Sequence, residues 1–404
     1  MNKSRFLPYG RQSIDESDIA SVVEVLRGDW LTQGPAVEAF ERELATRTGA
    51  VYAAACSNGT SALHLAALAL DIQPGDGVIV PSITFLATAN AVRYVGAEVI
   101  FADINPNTGL IGVPQIEEAL VRARKNGIQA RAIFPVHFAG QSANMIEIGA
   151  FAREHRLKIV EDSSHAIGTS VAHEDKWLSL GALPYSDMAT FSFHPVKTVA
   201  AGEGGAVVTN DPTLIEKLRR FRNHGMTKEP SDFENLGMGF NTDAMLNPWY
   251  YEMPEIGYNY RMTDIQCALG LSQLKRLDHF VEQRQALVTR YETLLESLSP
   301  RVTPLERVSG CRPAWHLMVV RIDFARSRRS RSGVMFSLRE RGIGTQVHYI
   351  PVHRQPYYRR RYGDVSLPGT ESYYQQTLSL PLFVGMTNED VERVVDGLTA
   401  IVTQ

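Results

Sequence analysis

The chain has 404 residues, 44% hydrophobic and 21% charged, with a formal net charge of −3. That is an ordinary globular composition with length enough for a large core, and its near-neutral balance carries no nucleic-acid footprint. Cys56, Cys267 and Cys311 are scattered singly, so they offer neither a disulfide framework nor a metal-ligand spacing, and a reducing compartment is expected. The opening MNKSRFLPYGRQSIDESD lacks the apolar centre of a signal peptide, and no apolar run reaches spanning length. A cytoplasmic protein that binds neither nucleic acid nor membrane is expected. The basic run RSRRSR (326–331) reads as a solvated loop, with a polyanion contact as the lesser reading.

Short apolar runs alternate with helical patterns over residues 51–210. VYAAACS (51–57) reads as a strand and GTSALHLAALAL as the following helix. GVIVPS (77–82) precedes the helix FLATANAVRYVG, and AEVIFADI (97–104) precedes PQIEEALVRARKNG. ARAIFPVHF precedes ANMIEIGAFAREH, and LKIVEDSS (157–164) closes the series. This alternation predicts an α/β fold with a mainly parallel sheet covered on both faces. DMATFSF (187–193) and GGAVVTN (204–210) are too close for a helical crossover, so an antiparallel step is expected there. A helix is predicted over 211–225, with Asp211 as cap and Gly225 as stop. Residues 226–256 lack periodicity and read as a long loop. A long helical pattern runs from Thr263 to about Leu298. Beyond it, strands (HLMVVRID, TQVHYI) mix with helices (SGVMFSLRERG, NEDVERVVDGLTAIV). The expected division is an N-terminal segment with a large α/β domain over 1–256, and a long helix with a small α+β domain over 257–404.

In parallel α/β sheets, ligands gather at the carboxyl ends of strands. Three such ends stand out. In CSNGTSALH (56–64) a strand runs straight into a helix N-terminus; Gly59 permits close backbone approach, and the turn is either an anion site or an ordinary capped turn. In IVEDSSHA (159–166), Glu161 and Asp162 either cap the next helix or meet a cation, and His165 either points the same way or packs in the core. In FSFHPVKTVAAGEGGAVVTN (191–210), alternation puts Ser192 and His194 on one face and Phe193 on the other. Pro195 ends that strand and Lys197 follows in the turn. A lysine between two apolar strands has a depressed pKa and becomes a nucleophilic amine. An anion site, a carboxylate and such a lysine suit one ligand, pyridoxal phosphate, whose aldehyde forms a Schiff base with lysine and whose pyridinium nitrogen pairs with an acid. No metal-ligand spacing and no GxGxxG after a strand competes with that reading.

NGTSALHLA, PSITFLATANAV, EDSSHAIG, FSFHPVKTVAAGEGGAVVTN, NHGM and GYNYRMTDIQCALGLSQL occur in order and cover most of the chain. In these motifs the sequence resembles the DegT/DnrJ/EryC1/StrS family of nucleotide-sugar aminotransferases. The resemblance implies the pyridoxal-phosphate fold type I: a mostly parallel seven-stranded sheet between helices, a smaller C-terminal α+β domain, and a homodimer. It makes Lys197 the cofactor-attaching lysine and proton carrier, which argues against the dehydratase-like members that carry histidine there. It assigns Asp162 to the pyridine nitrogen, His165 to the neighbourhood of the 3-hydroxyl, and Phe85 to the ring face. Gly59, Thr60 and Ser192 would hold the phosphate, with Asn259 reaching it from the partner subunit. Phe85 would otherwise be core packing, and Asn259 a loop cap.

PYGRQSIDESDIASVVEVLRGDWLTQGP, PVHFAGQ, PWYYEM, AWHLMVVRI and VHYIPVHRQPYYR are similar to the branch that aminates C4 of a UDP-linked 4-keto-6-deoxy-N-acetylhexosamine for pseudaminic acid, with L-glutamate as the donor. That resemblance implies substrate contacts from Tyr9, Asp29, Trp30, Leu31 and Thr32, and from Trp315, His316, Leu317 and Met318; the aromatic residues either cover the substrate or pack. His348 and His353 fall near the cleft by the same analogy. The alternative is the same chemistry on a GDP- or dTDP-linked 4-keto-6-deoxyhexose or a 3-keto sugar. The loop 226–256 is longer than the resemblance implies.

Overall fold

The computed structural model describes residues 6–182 and 184–403. Its centre is a seven-stranded sheet. From edge to edge the strands are Tyr52–Cys56, Gly205–Thr209, Met188–Ser192, Lys158–Asp162, Gln129–Ile133, Asp76–Pro81 and Glu98–Ala102. Six run parallel, and Gly205–Thr209 lies antiparallel between its two neighbours. The expected reversal therefore sits in the stretch that carries Lys197. Both faces are covered. One side buries Ala54, Val80, Phe134 and Val160 with the helices Gly59–Ala69 and Leu86–Tyr94. Within the second core, Ile79, Ile133 and Ile159 meet the helices Val113–Lys125 and Met145–His155. Two-sided burial explains the unbroken apolar runs of these strands.

The cap signals place most helices well. Asp211 accepts from the amides of Thr213 and Leu214, and the helix Pro212–Phe221 follows. It ends short of the predicted stop, with Arg222 as its C-cap; Gly225 instead takes φ +70° where its α-carbon faces Glu255 backbone. Thr263 forms a capping box with Gln266. The predicted 263–298 helix is broken at Arg276 (φ −102°, ψ 7°) into Asp264–Lys275 and Leu277–Leu295. The break holds Arg276 against Asp15 (2.6 Å) and Asp18. Residues 226–256 are not featureless: they hold the short turns Pro230–Asp232 and Leu236–Gly239, with bridges Thr227↔Glu252 and Phe240↔Leu246.

A second sheet joins Val302–Pro304, Met318–Ile322 and Thr377–Leu380, covered by Arg331–Glu340 and Asn388–Val402. TQVHYI, predicted as a strand, forms only the bridge Gln346↔Ser379, and its residues turn toward the cleft. Several pairings cross the expected 256/257 division, among them two that tie the C-terminal part to the rest. Leu7 pairs with Ile343 and packs in the C-terminal core, and Cys311–Arg312 pairs with the hairpin Ser170–His173/Lys176–Ser179. In RSRRSR, Arg331 stacks on Tyr374 (4.4 Å) and donates to its carbonyl. Among the described residues no helix is long and apolar enough to cross a membrane.

Candidate active site

The three strand ends singled out in the sequence converge on one cleft of about 710 Å³. It is lined by Gly59 and Thr60 from the first, Asp162 and His165 from the second, and Ser192, His194 and Lys197 from the third. Phe193 points the other way, fully buried edge-on to Phe40 at 5.2 Å, as strand alternation requires.

Helix Gly59–Ala69 is capped by Asn58, whose side chain accepts the Ser61 amide at 2.8 Å. The cap leaves the Gly59 and Thr60 amides without a protein acceptor among the described residues, at the positive end of the helix. Ser192 closes the same corner: a methyl on Gly59 would lie 2.8 Å from the Ser192 β-carbon, so only glycine lets the turn meet the strand. The glycines after Lys197 divide the work. Gly202 takes the left-handed turn (φ +79°), and Gly205 lets its strand meet the Asn58–Gly59 peptide, where a methyl would fall 2.3 Å from the Asn58 carbonyl oxygen.

Asp162 is buried and held at both oxygens. Thr88 Oγ1 donates to Oδ2 at 2.7 Å, and the Ser164 amide donates to Oδ1 at 3.1 Å. Lys197 sits in a tight turn, its amide donating to the His194 carbonyl at 2.8 Å. Burial pulls its amine down from the usual 10.5 to about 8, with the Asp162 carboxylate opposing the shift. Three imidazoles share the wall. His165 Nε2 lies 2.9 Å from the Tyr349 hydroxyl, and its ring is 4.4 Å from that of His316. Burial and the nearby Lys197 push His165 well below the usual imidazole range and His348 to about 3. His316 is depressed by burial, then by His165 and Lys197. All three are neutral at pH 7. The Nδ1 atoms of His165 and His316 are buried with no partner among the described residues.

Phe85 lies at the cleft wall, 57% exposed, with its ring 6.0 Å from Tyr349. It is therefore not a core side chain. Tyr9 and His348 also line the cleft. Of the 315–318 stretch only His316 does; Trp315 and Met318 pack in the core of the second sheet, and Leu317 packs in the core beneath the large sheet. Asp29, Trp30, Leu31 and Thr32 are exposed outside this cleft, with Thr32 bridging to Thr263. Asn259 is likewise exposed and bridges to Asn223. His353 sits behind the wall, Nδ1 2.6 Å from Ser82 Oγ. Sequence reasoning missed Asn58, Thr84, Thr88, Val136, Gln346 and Tyr349. Tyr349 lay inside the VHYIP stretch, and Thr88 inside ITFLATAN, but no spacing rule marked either.

The residues fit pyridoxal phosphate. Free amides and a hydroxyl sit at a helix N-terminus, a desolvated amine and an anchored carboxylate face one space, and an orphaned imidazole nitrogen stands beside them. Among the described residues no cluster could hold a metal ion. This sheet and this constellation define a pyridoxal-phosphate enzyme of fold type I. The chain belongs to the DegT/DnrJ/EryC1/StrS aminotransferase family, whose model matches residues 12–399, and it is a pyridoxal-phosphate-dependent sugar aminotransferase. It is 39% identical over 403 residues to the spore coat polysaccharide biosynthesis protein SpsC of Bacillus subtilis (strain 168), covering 99% of this chain and 98% of that one. It is similar to Helicobacter pylori PseC, an aminotransferase involved in the biosynthesis of pseudoaminic acid. That match has a TM-score of 0.86 and 29% identity, covering 99% of this chain and 100% of that one. The PLP-form of a putative sugar aminotransferase, Spr1654 from Streptococcus pneumoniae, gives a TM-score of 0.86 at 25% identity, covering 98% and 99%.

Proposed function

We propose that the enzyme transfers an amino group from L-glutamate to C4 of a UDP-linked 4-keto-6-deoxy-N-acetylhexosamine. The observation that carries the choice of sugar is the full-length likeness to PseC. It is supported by Tyr9 and His316, which come from stretches shared with that branch and stand in the cleft. Bound pyridoxal phosphate supplies an electrophilic aldehyde and an electron-accepting ring. Asp162, anchored by Thr88 and Ser164, would hold the ring nitrogen. The Gly59 and Thr60 amides and the Ser192 hydroxyl hold the phosphate, and Phe85 covers the ring. Lys197 moves the proton. With its amine near 8, about a quarter is free base at pH 7.5, against about 0.1% for an ordinary lysine. The neutral imidazoles of His165, His316 and His348 accept or donate hydrogen bonds to sugar and cofactor hydroxyls without adding charge.

The active form in this proposal is a homodimer. Asn259 and Trp30 lie outside the cleft of their own chain, and Trp249 and Ile256 expose 74% and 78% of their surface, a distribution that a partner subunit would use. The higher identity to SpsC favours a second reading, the same chemistry on another keto-sugar nucleotide. Mass spectrometry of products from UDP-, dTDP- and GDP-linked keto sugars with L-glutamate separates the two. Amination of the UDP-N-acetylhexosamine is expected, and amination of a GDP- or dTDP-hexose alone refutes the first reading.

A further inference from the structure

The strand Lys158–Asp162 ends on two consecutive carboxylates. Alternation sends them to opposite faces, and only Asp162 reaches the cleft. Glu161, 3% exposed, meets two donors on the far side. Its Oε2 lies 2.6 Å from Nε2 of the fully buried His137, and Ser186 Oγ donates to its Oε1. The tautomer of His137 follows from its other nitrogen. Nδ1 accepts the Ala143 amide at 3.1 Å, so the proton sits on Nε2 and the ring is a neutral donor. Among the described residues no lysine or arginine pairs with Glu161. A buried carboxylate without a cation is costly, and its cost is offset only while both hydrogen bonds are made.

The same stretch grips Asp162 through the backbone. The His137 amide donates to the Asp162 carbonyl at 3.0 Å, and the Asp162 amide to the Pro135 carbonyl at 2.8 Å. Val136, between them, lines the cleft. The strand Gln129–Ile133 has already ended here, so Val136↔Asp162 is an isolated rung. On the other edge Asp162 ends a continuous ladder at Thr190, but on this edge the single rung has no continuing ladder to hold the 135–137 stretch in register with it. The side-chain link from His137 to Glu161, the neighbour of Asp162, supplies that hold from the opposite face.

We propose that His137, Glu161 and Ser186 form a positioning cluster for Asp162, locking the strand end so that its carboxylate meets the cofactor's ring nitrogen. None of the three lines the cleft; they act through Asp162. The proposal rests on the cofactor and not on the sugar proposed above, so a different sugar leaves it standing.

The test is titration of the full-length apoenzyme with pyridoxal 5′-phosphate, together with the pH midpoint of the bound cofactor's absorption. His137→Phe removes the ring's bonds to Glu161 and to the Ala143 amide while keeping the backbone bond to Asp162, and is expected to weaken cofactor binding by about tenfold or more and to shift the midpoint. Ser186→Ala removes one donor and is expected to cost about threefold to tenfold. Glu161→Gln keeps both hydrogen bonds, its carbonyl toward His137 and its amide toward the Ser186 hydroxyl, and is expected to stay within about threefold of the parent. Apoenzyme melting temperatures that fall while the dissociation constant and the midpoint stay put mean a merely structural cluster and overturn the proposal. A loss in Glu161→Gln as large as in His137→Phe overturns it too, since charge rather than hydrogen bonding would then be the agent. If His137→Phe does not fold, Ser186→Ala decides by the same two readings.

Discussion

Gly205→Ala probes the join between the Lys197 stretch and the phosphate cradle. Gly205 pairs with Cys56 on one side and Ser192 on the other. The added methyl would lie 2.3 Å from the Asn58 carbonyl oxygen, where an ordinary contact begins at 3.4 Å. Its φ lies outside the left-handed region, so the conflict is purely steric. Backbone on both sides leaves no flexible side chain to yield. Either the strand retreats or the Asn58–Thr60 turn shifts, in both cases by about an ångström, and overpacking of this kind costs about 1–3 kcal/mol. The shift falls on the Gly59 and Thr60 amides, and a misplacement of that size costs on the order of tenfold to a hundredfold at a built site. Cofactor titration with parallel thermal unfolding reads both effects. The expected result is a lower melting temperature and at least tenfold weaker pyridoxal phosphate binding. Parent-like affinity in a folded Gly205→Ala protein would refute the assignment of this turn to the phosphate.

The depressed Lys197 amine predicts that the rate of pyridoxal phosphate uptake by the apoenzyme climbs with pH, passes half its rise near about pH 8 and levels off about one unit higher, because the folded pKa is lowered to about 8 and the free base is nearly complete a unit above it; a stopped-flow series still rising past about pH 10 would contradict it. Thr88→Val removes a hydrogen bond to the Asp162 carboxylate worth about 1.5–3 kcal/mol, so cofactor affinity should drop by about 10- to 100-fold in the same titration. Arg276→Ala strands the fully buried Asp18 carboxylate without a cation, leaving the Gln273 side-chain amide and the Asp15 backbone amide as its donors, and should destabilise the fold by about 3–5 kcal/mol in denaturant unfolding. A loss under about 1 kcal/mol would contradict a buried pair and place it among weak surface ion pairs.

The parts of the fold legible in the sequence were those with a local cause. The β-then-α rhythm of 51–164 marked the parallel strands, and the short gap between Phe193 and Gly204 marked the reversal. The cap Asp211 stood where its side chain bonds the first turn, and the helical pattern began at Thr263, which the structure shows as a cap. What stayed hidden depends on partners far along the chain. Helical periodicity runs straight through Arg276, and only its ion pairs with Asp15 and Asp18 account for the break. TQVHYI has strand composition, but it finds one bridge and spends its side chains on the cleft. Trp315 and Met318 look like ligand-facing groups until the second sheet is assembled around them. The site was legible at Lys197, Asp162, Ser192 and Gly59 because each lies where a strand gives way to a turn. Thr88 and Tyr349 became visible only through the atoms they touch.

The most direct test of the central claim is a single half-reaction with the cofactor-loaded enzyme. Mixed with L-glutamate and no sugar, the parent enzyme should release one 2-oxoglutarate per site while the bound cofactor's absorption changes with the same time course, and Lys197→Ala should release almost none. Release by Lys197→Ala at the parent rate, or no release from the loaded parent enzyme, would contradict the account.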